Sequence, residues 1–415
     1  MRLSSLTAIR SLCSPLGLNS RRFSSTYSSN TTPISNADRP TNWTFYHKDM
    51  RIIPANTIQL QPKPLDPEAV RFGLYFSDHM VEVDFSDDSN WSQPFLSPLH
   101  ALQLHPGAKV FHYAIELFEG MKAYRGVDNR IRLFRPEKNM ERMRKSAIRS
   151  ALPDFDGEEL LKIISHLIQI DVDWVPYSKT ASLYLRPTMI GTDPRLGVAH
   201  STSAKLYVIS SPAGCYYPTG MKPISLLADP RFARAFPGGV GEFKMGSNYA
   251  ATMSVGKAAL EMDCQQVLWL YDREELITEV GAMNIFVFWI NQNGDYELIT
   301  PPLRDGIILP GVTRDSLIQL GRKWNEFRVV EEYPSMYEIR RAIAENRMLQ
   351  MFGAGTAAVI QPVDRILHWN QKTQFYETLY IPTMTSSNVM QRLYDTIMDI
   401  QFGRVEMPEW TRIVV

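Results

Sequence analysis

Little in this chain announces a stapled, membrane-spanning or nucleic-acid-binding protein. Of 415 residues only 3 are cysteine, at Cys13, Cys215 and Cys264, and no Cys-x-x-Cys occurs. A disulfide framework is excluded at that density, and such cysteine usage is that of an intracellular protein. No apolar run reaches the roughly 18 residues a membrane-crossing helix needs, so no membrane partner is expected. Lysine plus arginine and aspartate plus glutamate number 44 each. Without a basic field no nucleic-acid partner is expected either, and small neutral substrates or cofactors fit better. The histidines show no metal-ligand spacing: His100 and His105 lack the glutamate of a His-Glu-x-x-His helix, so no metal is expected. A Walker lysine loop and a Gly-x-Ser-x-Gly elbow are also missing.

Acidic residues are missing before Asp38, where Arg2, Arg10, Arg21 and Arg22 stand among many serines and Leu3, Leu6, Ile9 and Leu12 recur at near-helical spacing. This is transit-peptide composition. Arg21-Arg22-Phe23-Ser24 is similar to an arginine-guided mitochondrial processing site, so a leader over 1–23, cut near Phe23 or Ser24, and a mitochondrial matrix location are expected.

What is present is enough material for a large core: 44% of residues are hydrophobic, and the length suggests more than one domain. A proline-punctuated segment over 24–63 reads as extended over the surface. Ile131 to Arg135 alternates like a strand, and Pro136 opens an amphipathic helix through about Ser150. Leu160 to Ile170 carries a second helical face, while Ser182 to Gly191 and Ala204 to Ser211 read as strands. Turn formers cluster in Pro212-Ala-Gly-Cys-Tyr-Tyr-Pro-Thr-Gly220, which marks a linker over 213–221 between a small α/β domain, 64–212, and a large one, 222–415. Beyond it Tyr249 to Glu261 reads as a helix, Gln266 to Tyr271 and Asn284 to Ile290 as strands, and Asn291 to Gly294 as a hairpin turn. The fold class is mixed α/β.

The most telling stretch is Phe236-Pro-Gly-Gly-Val-Gly-Glu-Phe-Lys-Met-Gly-Ser-Asn-Tyr249. Most lysines are solvated surface charges, but Lys244 is set among apolar and small residues after a turn. A lysine withdrawn from water gives up its proton more readily, which is what an imine-forming amine needs. Glu279 lies in the apolar Ile277-Thr-Glu-Val-Gly-Ala-Met-Asn284, where a buried carboxylate needs a cationic partner, and a pyridinium nitrogen would serve. Leu309-Pro-Gly-Val-Thr-Arg314 sets a tight turn before a helix, a geometry whose free amides bind phosphate; Arg142 could add a forked contact. Gly353-Ala-Gly-Thr-Ala-Ala358 nearly matches a dinucleotide fingerprint, but no helix opening or distant acidic residue follows it, and an anion site for a carboxylate explains the glycines equally well. Taken singly, each of these has an ordinary structural explanation.

Together they match a family. Phe118-Glu-Gly-Met-Lys-Ala-Tyr-Arg-Gly126, Arg132-Leu-Phe-Arg-Pro136, Leu183-Tyr-Leu-Arg-Pro187, Gly238-Gly-Val-Gly241 with Lys244 and Asn248-Tyr249, Glu279-Val-Gly281 with Met283-Asn284, and Thr300-Pro-Pro-Leu303 with Leu309-Pro-Gly-Val312 resemble the branched-chain amino acid aminotransferases. The resemblance implies a two-domain, fold-type IV enzyme, similar to D-amino acid aminotransferase, with pyridoxal 5'-phosphate between the domains and a homodimeric assembly. It implies that Lys244 is the Schiff-base lysine and acid/base, that Glu279 meets the pyridine nitrogen and Tyr249 the ring oxygen, and that Arg142, Val312, Thr313 and Thr356 hold the phosphate. The substrate pocket would draw on Phe76, Tyr113, Phe118, Tyr184, Arg186 and Ala357, with Val198 reaching in from the partner. The implied reaction converts leucine, isoleucine and valine to 2-oxo acids with 2-oxoglutarate as acceptor, giving glutamate. Another fold-type IV activity, or a catalytically weak cofactor-binding protein, is the alternative. Three features depart from the family's pattern. Ala282 replaces a common threonine, Ala358 and Gln361 replace the Cys-x-x-Cys of vertebrate members, and Leu303-Arg-Asp-Gly306 holds one extra residue.

Overall fold

Two β-sheets with helices against their faces make up the fold in a computed structural model that describes residues 43–66, 70–214, 222–383 and 388–415. The expected leader and most of the expected linker lie outside the described residues. All described residues belong to one compact unit.

The first sheet runs in the order Arg51–Ile52, Phe95–Pro98, His79–Ser86, Ser203–Ala213, Ser182–Gly191, Met121–Arg125, Ile131–Phe134, Thr411–Ile413, with Glu116–Phe118 also paired to Ser182–Gly191. Strand Ser203–Ala213 starts with alternating burial, Leu206 and Val208 inward, as a strand with one covered face should. The cover is helices Pro136–Arg149 and Gly157–Ile170, whose Met140, Met143, Leu160, Ile164 and Leu167 share a core with the sheet's Val81, Leu133 and Leu183. Asp156 caps the second of these helices, its side chain accepting from the amides of Glu158 and Glu159.

In the second sheet, strand Leu276–Val280 pairs with Gln266–Tyr271 on one side and Met283–Ile290 on the other, so the strands between close on themselves. Met283–Ile290 is buried along nearly its whole length because both faces are covered. Phe286 and Phe288 pack with helices Val312–Trp324 and Val389–Gln401, whereas Ile285, Val287 and Trp289 pack with Met336–Ala344.

Three expectations change. The segment before Pro64 is not all surface strap: Phe45 is buried, stacked on Phe155 and edge-on to Trp91. The helix expected over Tyr249 to Glu261 is two helices, Gly246–Ala250 and Met253–Glu261. The Asn248 amide ties the first to the carbonyls of Val240 and Phe243, and Thr252, its hydroxyl turned back on the Tyr249 carbonyl, stands at the break. Strand Thr411–Ile413 belongs to the first sheet, paired with Ile131–Phe134, although it was expected in the second domain with 222–415. Chain order cannot reveal such a return. The remaining division at the linker stands as our proposal.

Candidate active site

A cavity of about 310 Å³ lies between the two sheets. Its floor begins at Lys244. The backbone N–H of Lys244 donates to the Ser146 hydroxyl at 3.0 Å, and its carbonyl accepts from the Phe118 amide at 3.1 Å, so helix Pro136–Arg149 and strand Glu116–Phe118 both grip the residue. Its Nζ lies 3.2 Å from the Tyr249 hydroxyl and 4.6 Å from the centre of the Phe118 ring. An amine against an aromatic face, within reach of a phenol, has a fixed direction and limited water.

Glu279 and Asn284 stand opposite one another across the Leu276–Val280 and Met283–Ile290 pairing. Glu279 is fully buried; its Oε1 accepts from the Leu309 amide at 3.0 Å and the Asn284 side chain at 3.2 Å. Its Oε2 lies 2.6 Å from Arg234 Nη1, yet without the alignment of a hydrogen bond, so that oxygen has room for another donor. Burial pushes the Glu279 carboxyl above its usual range, against the charge of Arg234 and the Leu309 hydrogen bond. The cation the sequence argument demanded is thus partly supplied by the chain itself, through Arg234.

Gly311 caps the helix Val312–Trp324, and a Cβ there would lie 2.0 Å from Asn284 Oδ1, so only glycine lets the helix start come this close. Val312 and Thr313, in the first helical turn, line the cavity where free amides and the positive end of the helix dipole favour an anion. Arg142 lines the same wall but is not loose: Nε and Nη2 grip the two oxygens of Glu119 at 2.7 and 2.8 Å, and Nη1 donates to the Pro310 carbonyl at 3.0 Å. Burial pushes the Glu119 carboxyl up, but Arg142's charge and hydrogen bond, with Lys244 and Asn139, outweigh it and hold it below the usual range.

Opposite, the turn between strands Met348–Gly355 and Val359–Asn370 carries Thr356, Ala357 and Ala358 on the cavity wall. A hairpin, not a helix, follows the glycines, in keeping with the discounted dinucleotide fingerprint. Lys122, reaching across from the first sheet, donates to the Ala357 carbonyl at 2.7 Å. The remaining wall is Tyr184, Arg186, Phe118 and Phe72, with Phe72 edge-on to Tyr184 at 4.7 Å between centroids.

The cavity therefore gathers Lys244, Arg142, Tyr249, Glu279, Val312, Thr313, Thr356, Phe118, Tyr184, Arg186 and Ala357. It does not gather Phe76, Tyr113 or Val198. Phe76 is 37% exposed, the Tyr113 hydroxyl donates to the Leu196 carbonyl, and Val198 is 85% exposed on the loop after strand Ser182–Gly191. Sequence reasoning missed Arg234, Glu119, Lys122 and Gln266. Glu119 and Lys122 stand inside a motif that was read, but Glu119 meets Arg142, 23 residues later across a strand–helix turn, and Lys122 meets Ala357, 235 residues later. Among the described residues no metal-holding group of histidine, cysteine and acidic side chains occurs, and no helix is long and apolar enough to cross a membrane.

The model of the amino-transferase class IV family matches residues 116–366. The chain is 57% identical over 370 residues to the cytosolic branched-chain-amino-acid aminotransferase of Caenorhabditis elegans, covering 89% of each. It is 48% identical over 350 residues to the mitochondrial enzyme of Bos taurus, covering 84% of this chain and 87% of that one. The solved branched-chain amino acid aminotransferase of Thermobaculum terrenum, in its PLP form, shares the fold at a TM-score of 0.63 and 18% identity, over 81% of this chain and 98% of that one. The chain belongs to the class IV aminotransferases, among their branched-chain members.

Proposed function

We propose that the chain is a pyridoxal 5'-phosphate-dependent transaminase that moves the amino group of L-leucine, L-isoleucine or L-valine to 2-oxoglutarate, releasing branched-chain 2-oxo acids and L-glutamate. One observation carries the reading: the Lys244 amine, the buried Glu279 carboxylate and a helix start converge on a single cavity, in a member of this family. That donor set fits the cofactor, with an amine for its aldehyde, a carboxylate oxygen lacking an aligned donor for its ring nitrogen, and helix-start amides for its phosphate.

When bound, the cofactor supplies an electron sink for the pair left on the substrate α-carbon. Lys244 Nζ moves the proton at that carbon, held in place by Phe118 and Tyr249. Glu279 would hold the ring nitrogen and keep it protonated, Tyr249 would hold the ring oxygen, and Arg142, Val312, Thr313 and Thr356 would hold the phosphate. Phe118 and Tyr184 give an apolar wall to a branched side chain, and Arg186 takes the side-chain carboxylate of glutamate. The Thr356–Ala357 turn receives the α-carboxylate. Phe76, Tyr113 and Val198, which do not line the cavity of the single chain, rest on the family resemblance alone, Val198 as a contribution to the site of a second copy in a homodimer. Purified protein should form glutamate and 4-methyl-2-oxopentanoate from L-leucine and 2-oxoglutarate, and none from D-leucine; failure with all three branched-chain substrates would sink the reading.

The leader composition over 1–23 supports a matrix location, while relatives named cytosolic and mitochondrial both stand close to the chain. N-terminal sequencing of protein recovered from fractionated cells decides: a new terminus near Ser24 in mitochondria supports the leader, and intact Met1 in the cytosol removes it.

A further inference from the structure

Arg186 faces a cavity that has to hold a hydrocarbon in one half-reaction and a carboxylate in the other. Its guanidinium lies 4.7 Å from the Phe118 ring centre and 5.3 Å from that of Tyr184; among the described residues its side chain makes one hydrogen bond, 3.3 Å long, to the Tyr184 hydroxyl, and its Nε is buried without a partner. A cation held this loosely is free to grip a dicarboxylate. Beside leucine, however, its charge faces hydrocarbon and loses water, a costly state unless a counter-charge stands near.

Glu116 is the carboxylate on the same sheet face, beyond ion-pair distance of Arg186 but close enough to feel its charge. Strand Glu116–Phe118 pairs antiparallel with Ser182–Gly191, setting Phe118 opposite Thr188 and Glu116 opposite Ile190. Alternate strand residues share a face, so Glu116 stands on the face from which Phe118 stacks on Arg186. On its other side is Gly246, the first residue of the helix that follows Lys244: a Cβ there would lie 1.7 Å from Glu116 Oε1. Glycine at 246 is what lets the carboxylate lie against this turn. Glu116 does not line the cavity. Burial raises its carboxyl above the usual range while the charge of Arg186 pulls the other way, and Tyr207 on the neighbouring strand feels both charges.

We propose that Glu116 is a positioning residue for substrate choice, balancing Arg186 when a branched hydrocarbon fills the cavity and yielding Arg186 to the side-chain carboxylate of glutamate or 2-oxoglutarate. This rests on the reading of Arg186 given above. No bond is made or broken by Glu116; it sets the relative affinity of two substrate classes for one pocket.

The test is the pair of KM values in the holoenzyme. Glu116→Gln lowers KM for 2-oxoglutarate by about three- to tenfold and raises KM for L-leucine, as loss of one partly exposed counter-charge allows. Glu116→Asp, which draws the charge back by one methylene, moves the ratio in the same direction by less, and suffices if the glutamine variant does not fold. A residue that merely held the strand would shift both KM values together. If the ratio stays fixed in a folded variant, or 2-oxoglutarate binding weakens, the inference about Glu116 is overturned. Wild-type turnover separates the layers: absence of leucine–2-oxoglutarate exchange in the parent enzyme would strike the proposed function instead.

Discussion

The two ends of the cavity are built on opposite principles. At the Glu279 and Arg142 end the charged groups are held from several sides: Glu119 is clamped by Arg142, Asn139 and the Gly120 amide, and Glu279 is anchored through Oε1 by Asn284 and Leu309, with Arg234 beside an Oε2 that keeps room for one more donor. At the Arg186 end one long hydrogen bond and stacked rings hold a guanidinium whose Nε has no partner. The difference matches what each end would receive in the proposed reaction. A cofactor whose ring nitrogen and phosphate are the same in both half-reactions is best met by groups fixed beforehand, because rigid dipoles cost no reorganisation during reaction. Alternating hydrocarbon and carboxylate side chains need a wall that can be neutral or cationic in effect, so the Arg186 end cannot be rigidly satisfied.

The sharpest way to break the contrast is at its hinge. Lys244→Ala removes the amine that works for both ends, and turnover should fall by about 10⁴-fold or more, measured as glutamate formed from leucine. Next comes the clamped end. Glu119→Gln leaves Arg142 buried without its charge partner, and thermal or denaturant unfolding should show a loss of about 3–5 kcal/mol. Its pH dependence follows from the sign. The folded Glu119 carboxyl is held low, so its stabilisation is present above the ordinary glutamate value of about 4.3 and is lost as pH falls through the lower folded value. The gap between parent and variant should therefore narrow in acid, and a gap that widens would contradict the clamp. At the adaptable end, Arg186→Met should raise KM for 2-oxoglutarate by about 10- to 100-fold, the worth of charged hydrogen bonds, and change KM for leucine far less. Equal losses for both substrates would erase the distinction. The smallest effect expected is none: Ala358 and Gln361 carry no thiol and burial holds the Cys264 thiol up, so in a Cys215→Ser background mild peroxide, assayed by residual activity, should leave turnover unchanged.

Legibility followed locality. Lys244 and Glu279 stood out in the sequence because each is a charge set in a mostly apolar or small-residue run, and the helix Pro136–Arg149 because its burial recurs with the helical period within one segment, whereas the strand Ile131–Phe134 before it is buried at every position. Arg234 did not stand out: with Arg231 close by it reads as a solvated pair, and only the fold brings its Nη1 2.6 Å from Glu279. The same holds for Lys122, whose hydrogen bond to Ala357 joins residues 235 positions apart. The strand Thr411–Ile413 was lost for that reason too. Val198 shows the opposite case, since family resemblance assigned a role that one chain alone, with the residue 85% exposed, cannot perform.

The most direct test is the visible spectrum of the purified holoenzyme, followed with one substrate at a time. The account predicts that the cofactor band bleaches with L-leucine alone, returns when 2-oxoglutarate is added, and is untouched by D-leucine. A band that is present but indifferent to L-leucine would mean that the clamped end holds cofactor while the adaptable end does not serve branched-chain substrates, and the central claim would fail.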